Sequence, residues 1–321
     1  NCDNNLKLLC KYIRDKYINC SNVIDKINTN IHRVKKCQII YLDDNKLKKK
    51  LCFESVANIG CILHKTKHHY ILLDLKNAFN NVSYEFIYEI LSYYLDCDNI
   101  ASGITKLLAE MKYFSVKLVK KIERNKGIPQ GNSLSCDIFV LCMNYIINKI
   151  INNITNNLNL KYNRDYKFII YVDDILILFK NDISINKSNK FIEIIETIFL
   201  KYNFILNKKK SKKSIGFPDI INFNEVQPND KYLGIYIEPS LDKQLILIEK
   251  EIIDKNKQNI NLHTFKTIDK LLSENKMKDK DKRYLQGKLR FSLSPFANNN
   301  KERNNIFKSN GYNHIANLFN I

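Results

Sequence analysis

A chain of 321 residues with 45% apolar content has room for two domains, or for one large lobed domain, around a real core. Its 52 basic against 33 acidic residues leave a formal charge of +19, which points to a polyanionic partner, most simply nucleic acid bound through its phosphates. No stretch reaches the ~18 uninterrupted apolar residues of a membrane span, so no membrane partner is expected. The nine cysteines form no Cys-x-x-Cys pair, so nothing in their spacing supports a zinc knuckle or finger. Their scatter suits reduced, buried thiols in an intracellular setting, with mitochondrial and nuclear compartments equally compatible. Abundant Asn, Ile and Lys reflect an AT-rich coding bias, so the Asn runs near residues 298–305 carry no functional weight. The chain begins at Asn1 rather than Met, the expected mark of a fragment or a processed product.

In chain order, residues 1–30 place Leu8, Leu9, Tyr12, Ile13, Tyr17 and Ile18 at helical spacing. Residues 33–53 predict a basic β-hairpin, with Val34–Leu42 and Leu47–Phe53 joined at Asp43-Asp44-Asn45. Its lysines, Lys49 among them, are candidates to clamp a triphosphate. A helix is expected over Val56–Lys67, then a strand running into Asp74, then helices over Tyr84–Leu95 and Ile104–Lys112. A strand is expected over Tyr113–Ile122, followed by the loop Gly127-Ile-Pro-Gln-Gly131 and a long apolar helix over Leu134–Ile151. The hairpin of 166–180, a helix over 187–201 and a strand over Lys231–Ile237 follow, with helices near 245–258, 264–276 and 279–293 at the end. His64 and His68 lie four apart on an expected helix, but no third ligand accompanies them, so they read as surface residues rather than a zinc site.

The chemistry concentrates in Phe168-Ile-Ile-Tyr-Val-Asp-Asp-Ile-Leu-Ile-Leu-Phe179, where two β-rich apolar runs flank Asp173-Asp174. Adjacent carboxylates at a turn repel one another unless a cation lies between them, and oxygen ligands of this kind suit hard ions such as Mg²⁺. Asp74, at the end of another apolar strand, supplies a third carboxylate. Three carboxylates around two metals form the arrangement that serves in-line phosphoryl transfer at a nucleic-acid 3′ end, so the chain reads as a nucleic-acid polymerase.

Other motifs take positions around that centre. Phe79, five residues beyond Asp74, reads as an aromatic gate against a 2′-hydroxyl; core packing beside a strand end is the plainer role for a lone Phe. The glycines of Gly127–Gly131 permit close backbone approach, Gln130 would face the nucleotide or template base, and Ser133 or Ser135 can cap the following helix. Asn207-Lys-Lys-Lys210-Ser211 offers a lysine to the leaving pyrophosphate. Gly234 in Tyr232-Leu-Gly234 leaves room for another backbone, such as that of a primer.

Asp74-Leu-Lys-Asn-Ala-Phe79, Gly127-Ile-Pro-Gln-Gly131, Tyr171-Val-Asp-Asp174, Asn207-x-x-Lys210-Ser211 and Tyr232-Leu-Gly234 occur in the order of the reverse transcriptase motifs. The resemblance covers about residues 33–240, and its flavour is similar to non-LTR retrotransposon, group II intron-related and telomerase-like enzymes. It implies an α+β right-hand polymerase with fingers, an antiparallel-sheet palm and a helical thumb. Residues 1–73 would be the N-terminal segment and fingers, 74–240 the palm with a fingers insertion at 85–126, and 241–321 the thumb and tail. It further implies RNA-directed DNA polymerase activity with two Mg²⁺ ions (or Mn²⁺ as substitute) on Asp74, Asp173 and Asp174, and Lys210 near the pyrophosphate. Leu75, Phe79, Gln130 and Gly131 would surround the nucleotide, and Tyr171, Val172, Tyr232, Leu233 and Gly234 the primer and template. Implied partners are an RNA template, an RNA or DNA primer, dNTPs and a ribonucleoprotein assembly. Val172 departs from the Ala common in non-LTR relatives, and Asn132 and Cys136 replace frequent small residues or Pro. A viral-type RNA polymerase would carry an acidic residue at Phe79 and Gly at Val172. An idle, structural RNA-binding relative would be expected to have lost the carboxylates.

Overall fold

The computed structural model describes residues 4–18, 23, 31–35, 38–43, 46–51, 69–111, 113–114, 121–122, 126–129, 134–179, 183–218, 223–237, 240–255, 264–293, 296–297 and 299–320. They fall into two compact units, one drawn from Asn1–Lys49 and His68–Glu225 and the other chiefly from Val226–Ile321.

The first unit is built on an eight-stranded sheet whose order is Asn224–Glu225, Lys212–Lys213, His69–Leu73, Asp174–Phe179, Tyr166–Tyr171, Ile31–Lys35, Gln38–Asp43, Lys46–Leu51. Its centre is antiparallel: His69–Leu73 pairs with Asp174–Phe179 through Ile71↔Ile177, and Asp174–Phe179 with Tyr166–Tyr171 through Phe168↔Ile177. Parallel pairs flank that centre, Ile31–Lys35 on Tyr166–Tyr171 and Lys212–Lys213 on Asn224–Glu225, so the sheet is mixed rather than wholly antiparallel. The expected strand Val34–Leu42 is broken after Lys35, and its halves fold back on each other through Val34↔Ile39. The expected strand Tyr113–Ile122 is likewise an antiparallel pair, Tyr113–Phe114 with Lys121–Ile122. Hydrophobic alternation marks extended chain but not where it reverses. The helix expected over residues 56–67 lies outside the described residues, as do His64 and His68.

Helix Ser135–Leu158 runs through the core and extends seven residues beyond the expected end. Seven consecutive residues, Ile138 to Asn144, are buried, so over two turns this helix has no solvent face. By length and composition alone it would pass for a membrane span. Here its apolar surface is covered by protein, and each fully buried Ile or Phe contributes about 1.5–3 kcal/mol. Its one deeply buried amide, Asn144, donates to the hydroxyl of Tyr94 on helix Tyr84–Leu95, which satisfies both groups. Helix Asp98–Glu110 starts six residues before its expected position, and helix Ile185–Lys201 begins on a Ser184 cap that accepts from Lys187 N–H.

The second unit opens with a tight hairpin, Lys231–Tyr232 against Ile235–Tyr236, where one continuous strand was expected. Leu233 and Gly234 at its turn both have positive φ (50° and 81°), as a two-residue hairpin loop requires. Helices Leu241–Lys255, Phe265–Ser273, Asp279–Ser292, Asn300–Ser309 and Asn313–Asn317 follow. They close around Ile248, Ile252, Phe265, Ile268, Leu289 and Phe307. The Asn-rich tail is therefore ordered into this core, and Asn299 starts its helix by accepting from Glu302 N–H while donating to the Glu302 carboxylate.

Candidate active site

The hairpin register Tyr171↔Asp174 leaves Val172 and Asp173 as a two-residue turn. Val172 holds φ 58°, a left-handed conformation that a β-branched residue adopts only when its surroundings enforce it. This strained turn puts Asp173 at the tip and Asp174 as the first residue of the returning strand. Leu73↔Ile175 is the last pair of the neighbouring ladder, so Asp74 emerges from the adjacent strand one step beyond it. Asp74, Asp173 and Asp174 thus share one end of the sheet.

Their charges register on one another. Asp173 is pushed above the usual carboxylate range by burial and then by the Asp74 charge. Asp174 is raised to about 6, first by burial and then by Asp173 and Asp74. Both side chains reach solvent at their tips, while the packed sheet and helix beneath them displace water from one side. Cys136, at the start of the central helix, lies near enough that Asp173 joins burial and Asp137 in raising its thiol.

Asp74 is held from a second direction. Ile205–Leu206 pairs with Leu75–Lys76, and Lys212–Lys213 with Ile71–Leu72, so residues 205–213 run alongside the Asp74 strand and loop out beside it. At that loop Asn207 N–H donates to the Asp74 carbonyl at 2.8 Å, and the Asn207 amide donates to Asp74 Oδ2 at 2.9 Å. The Asp74 N–H donates to Ser211 Oγ at 3.1 Å. Lys210 is exposed on the same turn.

Phe79 is half-buried and stacked on Phe139, with centroids 4.3 Å apart and planes at 13°. Phe139 is fully buried and meets Phe204 edge-on at 5.9 Å. The ring is thus backed by core on one face, and packing is the role its contacts show. The Gly127 loop is tied to the same segment, Gly127 N–H donating to Val82 O at 2.7 Å and Ile128 N–H to Phe79 O at 2.8 Å. Gly127 has φ 104°, which only glycine adopts freely. Ser135 does not cap the central helix; its hydroxyl donates back to Pro129 O, and Leu134 occupies the cap position.

The remaining predicted residues separate. Leu75, expected at the nucleotide, turns its side chain into the core. Gln130, Gly131, Asn132 and Ser133 lie outside the described residues, and Lys49 is described only as part of strand Lys46–Leu51. Tyr171 and Val172 are half-buried beside the carboxylates. In the second unit Tyr232 is buried, Leu233 is half-buried and Gly234 is exposed. A Cβ on Gly234 would come within 3.2 Å of the Phe291 ring, so packing accounts for the glycine. The sequence singled out the segment Asn207–Ser211 for its lysine but not the bonds of Asn207 and Ser211 to Asp74, and it missed Phe139 behind Phe79; these roles are visible only through their partners.

The three carboxylates fit divalent cations by donor chemistry: all are oxygen ligands, they share one end of the sheet, and two are raised first by burial and then by neighbouring carboxylate charge. Among the described residues no three acidic, thiol or imidazole groups stand close enough together to hold a metal ion by themselves. Magnesium sites that take part of their shell from substrate phosphates and water do not need such a set.

A sheet carrying a paired-carboxylate hairpin and a third strand-end carboxylate, packed on a long buried helix, is a palm-like architecture. The sequence model for "Reverse transcriptase (RNA-dependent DNA polymerase)" matches residues 16–237, and the chain belongs to that family. Among solved structures, telomerase from Candida albicans in complex with a fragment of telomeric RNA is similar at 14% identity and TM-score 0.46, over 97% of this chain and 47% of that one. Apo telomerase from Candida tropicalis is similar at 12% identity and TM-score 0.44, over 91% of this chain and 54% of that one. The chain therefore spans about half the length of these structures. Among curated proteins, none matches it.

Proposed function

We propose that this chain is an RNA-directed DNA polymerase that adds dNTPs to a primer 3′ end. The observation that carries the reading is the convergence of Asp74, Asp173 and Asp174 at one end of adjoining strands, with Asp174 raised to about 6 by its surroundings. These three residues would hold two Mg²⁺ ions, and the bound pair would supply the charge neutralisation that in-line phosphoryl transfer needs on both sides of phosphorus. In that transfer the primer 3′-oxygen bonds to the α-phosphorus, the bond to the bridging oxygen breaks, and pyrophosphate leaves. Lys210 would meet the leaving charge from the turn that also holds Asp74. Phe79, backed by Phe139, would exclude a 2′-hydroxyl. The charge of +19 suits an RNA template and a primer bound through phosphates.

Primer extension on an RNA template with Mg²⁺ tests the reading, comparing dNTPs with NTPs and the wild type with Asp173→Asn. Extension with dNTPs alone, abolished by the substitution, is expected. Extension with NTPs moves the protein to the RNA polymerases, and salt-sensitive RNA binding without extension refutes an autonomous enzyme.

A further inference from the structure

Asp74 is the carboxylate whose surroundings are most completely specified, and its carboxylate oxygen is held by one residue. Asn207 engages it twice: its backbone N–H bonds the Asp74 carbonyl at 2.8 Å and its side-chain amide bonds Oδ2 at 2.9 Å. Asn207 is itself fixed, because its carbonyl accepts from both Lys210 N–H (3.0 Å) and Ser211 N–H (2.8 Å). Ser211 closes the loop by accepting from the Asp74 N–H at 3.1 Å and is fully buried. The two strand pairs on either side, Leu206↔Leu75 and Lys212↔Leu72, lock this turn in register with the Asp74 strand.

An isolated aspartate at a strand end rotates about its side-chain bonds, and an unheld carboxylate presents either oxygen to solvent. An amide donor at 2.9 Å removes that freedom. We infer that Asn207 is a positioning residue for the metal-binding carboxylate of Asp74, holding Oδ2 so that Oδ1 is the oxygen presented to a cation. The inference rests on the polymerase reading above and adds a residue to it. An Asn suits the task because its amide donates two protons, carries no charge to compete for the cation, and tolerates a turn. Outer-shell hydrogen bonds of this kind are typically worth 10–100-fold in metal affinity.

The test uses the full chain and Mn²⁺ as an electron-spin-resonance probe, read beside Mg²⁺-dependent primer extension. Asn207→Ala is expected to weaken Mn²⁺ binding about tenfold. It should lower kcat by a similar factor and leave the KM for dNTP near the wild-type value. Asn207→Ser, which stays compatible with a turn but is too short to reach Oδ2, should do the same. Ser214→Ala is the matched control. Ser214 Oγ accepts from Tyr70 N–H at 3.1 Å at the far end of the same strand pair, so its loss loosens the strands without touching a carboxylate. It should lower the melting temperature and leave Mn²⁺ affinity unchanged. Unchanged Mn²⁺ affinity in both Asn207 variants, or an equal loss in Ser214→Ala, would overturn the role of Asn207 while the polymerase reading stands. Mn²⁺ binding that survives Asp174→Asn, or a wild type that neither binds Mn²⁺ nor extends a primer, would overturn both.

Discussion

Replacing Phe139 by Leu separates the packing of Phe79 from the gating proposed for it. Phe139 stacks on Phe79 at 4.3 Å and meets Phe204 edge-on at 5.9 Å. Aromatic pairs contribute about 0.5–1.5 kcal/mol each beyond buried area, so losing both costs about 1–3 kcal/mol and lowers the melting temperature by several degrees. In the proposed role the Phe79 ring would exclude a 2′-hydroxyl only as firmly as it is held. If stacking on Phe139 supplies about 1.4 kcal/mol of that hold, its loss relaxes discrimination between dNTP and NTP about tenfold. Single-nucleotide incorporation with each substrate reads the ratio of kcat/KM values, and a thermal melt reads the stability. Phe204→Leu removes the edge-on contact without touching Phe79, so it should lower the melting temperature and leave discrimination intact. Lost stability with unchanged discrimination in Phe139→Leu would refute the idea that the gate is held from behind.

Three further outcomes follow from the same geometry. Asp174 is an acid whose folded-state value, about 6, lies above its ordinary 3.8, so its ionised form costs stability above about pH 6 and the cost disappears as pH falls toward 4. Asp174→Asn should therefore raise the melting temperature of the metal-free protein at pH 8, by an amount that fades across that window; a gain independent of pH would contradict the crowding at the site. Glu251, nearly buried, accepts from Lys231 at 2.7 Å and Lys288 at 2.8 Å, so Glu251→Gln should cost about 2 kcal/mol in denaturant unfolding. Gly234→Ala forces a side chain into φ 81° and against Phe291, at a cost of about 1–2 kcal/mol on the same assay, and an unchanged midpoint would mean that the hairpin turn relaxes freely.

By itself the sequence determined the carboxylate hairpin, the strand that ends at Asp74 and the helices whose apolar spacing is strong. These are properties of consecutive residues: alternation gives a strand, a 3.6-residue period gives a helix, and two aspartates between apolar runs give a turn. Chain reversals within the expected strands were not encoded that way, so 31–43, 113–122 and 231–236 fold as paired strands where single strands were expected. The ordered tail was missed although Asn299-x-x-Glu302 is a capping signal, because compositional bias hid it. Only the tertiary structure decided that the third carboxylate stands beside the other two, that Asn207 holds it across 133 residues of chain, and that Phe139 lies behind Phe79. Such contacts depend on strand register and helix placement, which are set by burial of the whole core and leave no mark in the spacing of neighbouring residues.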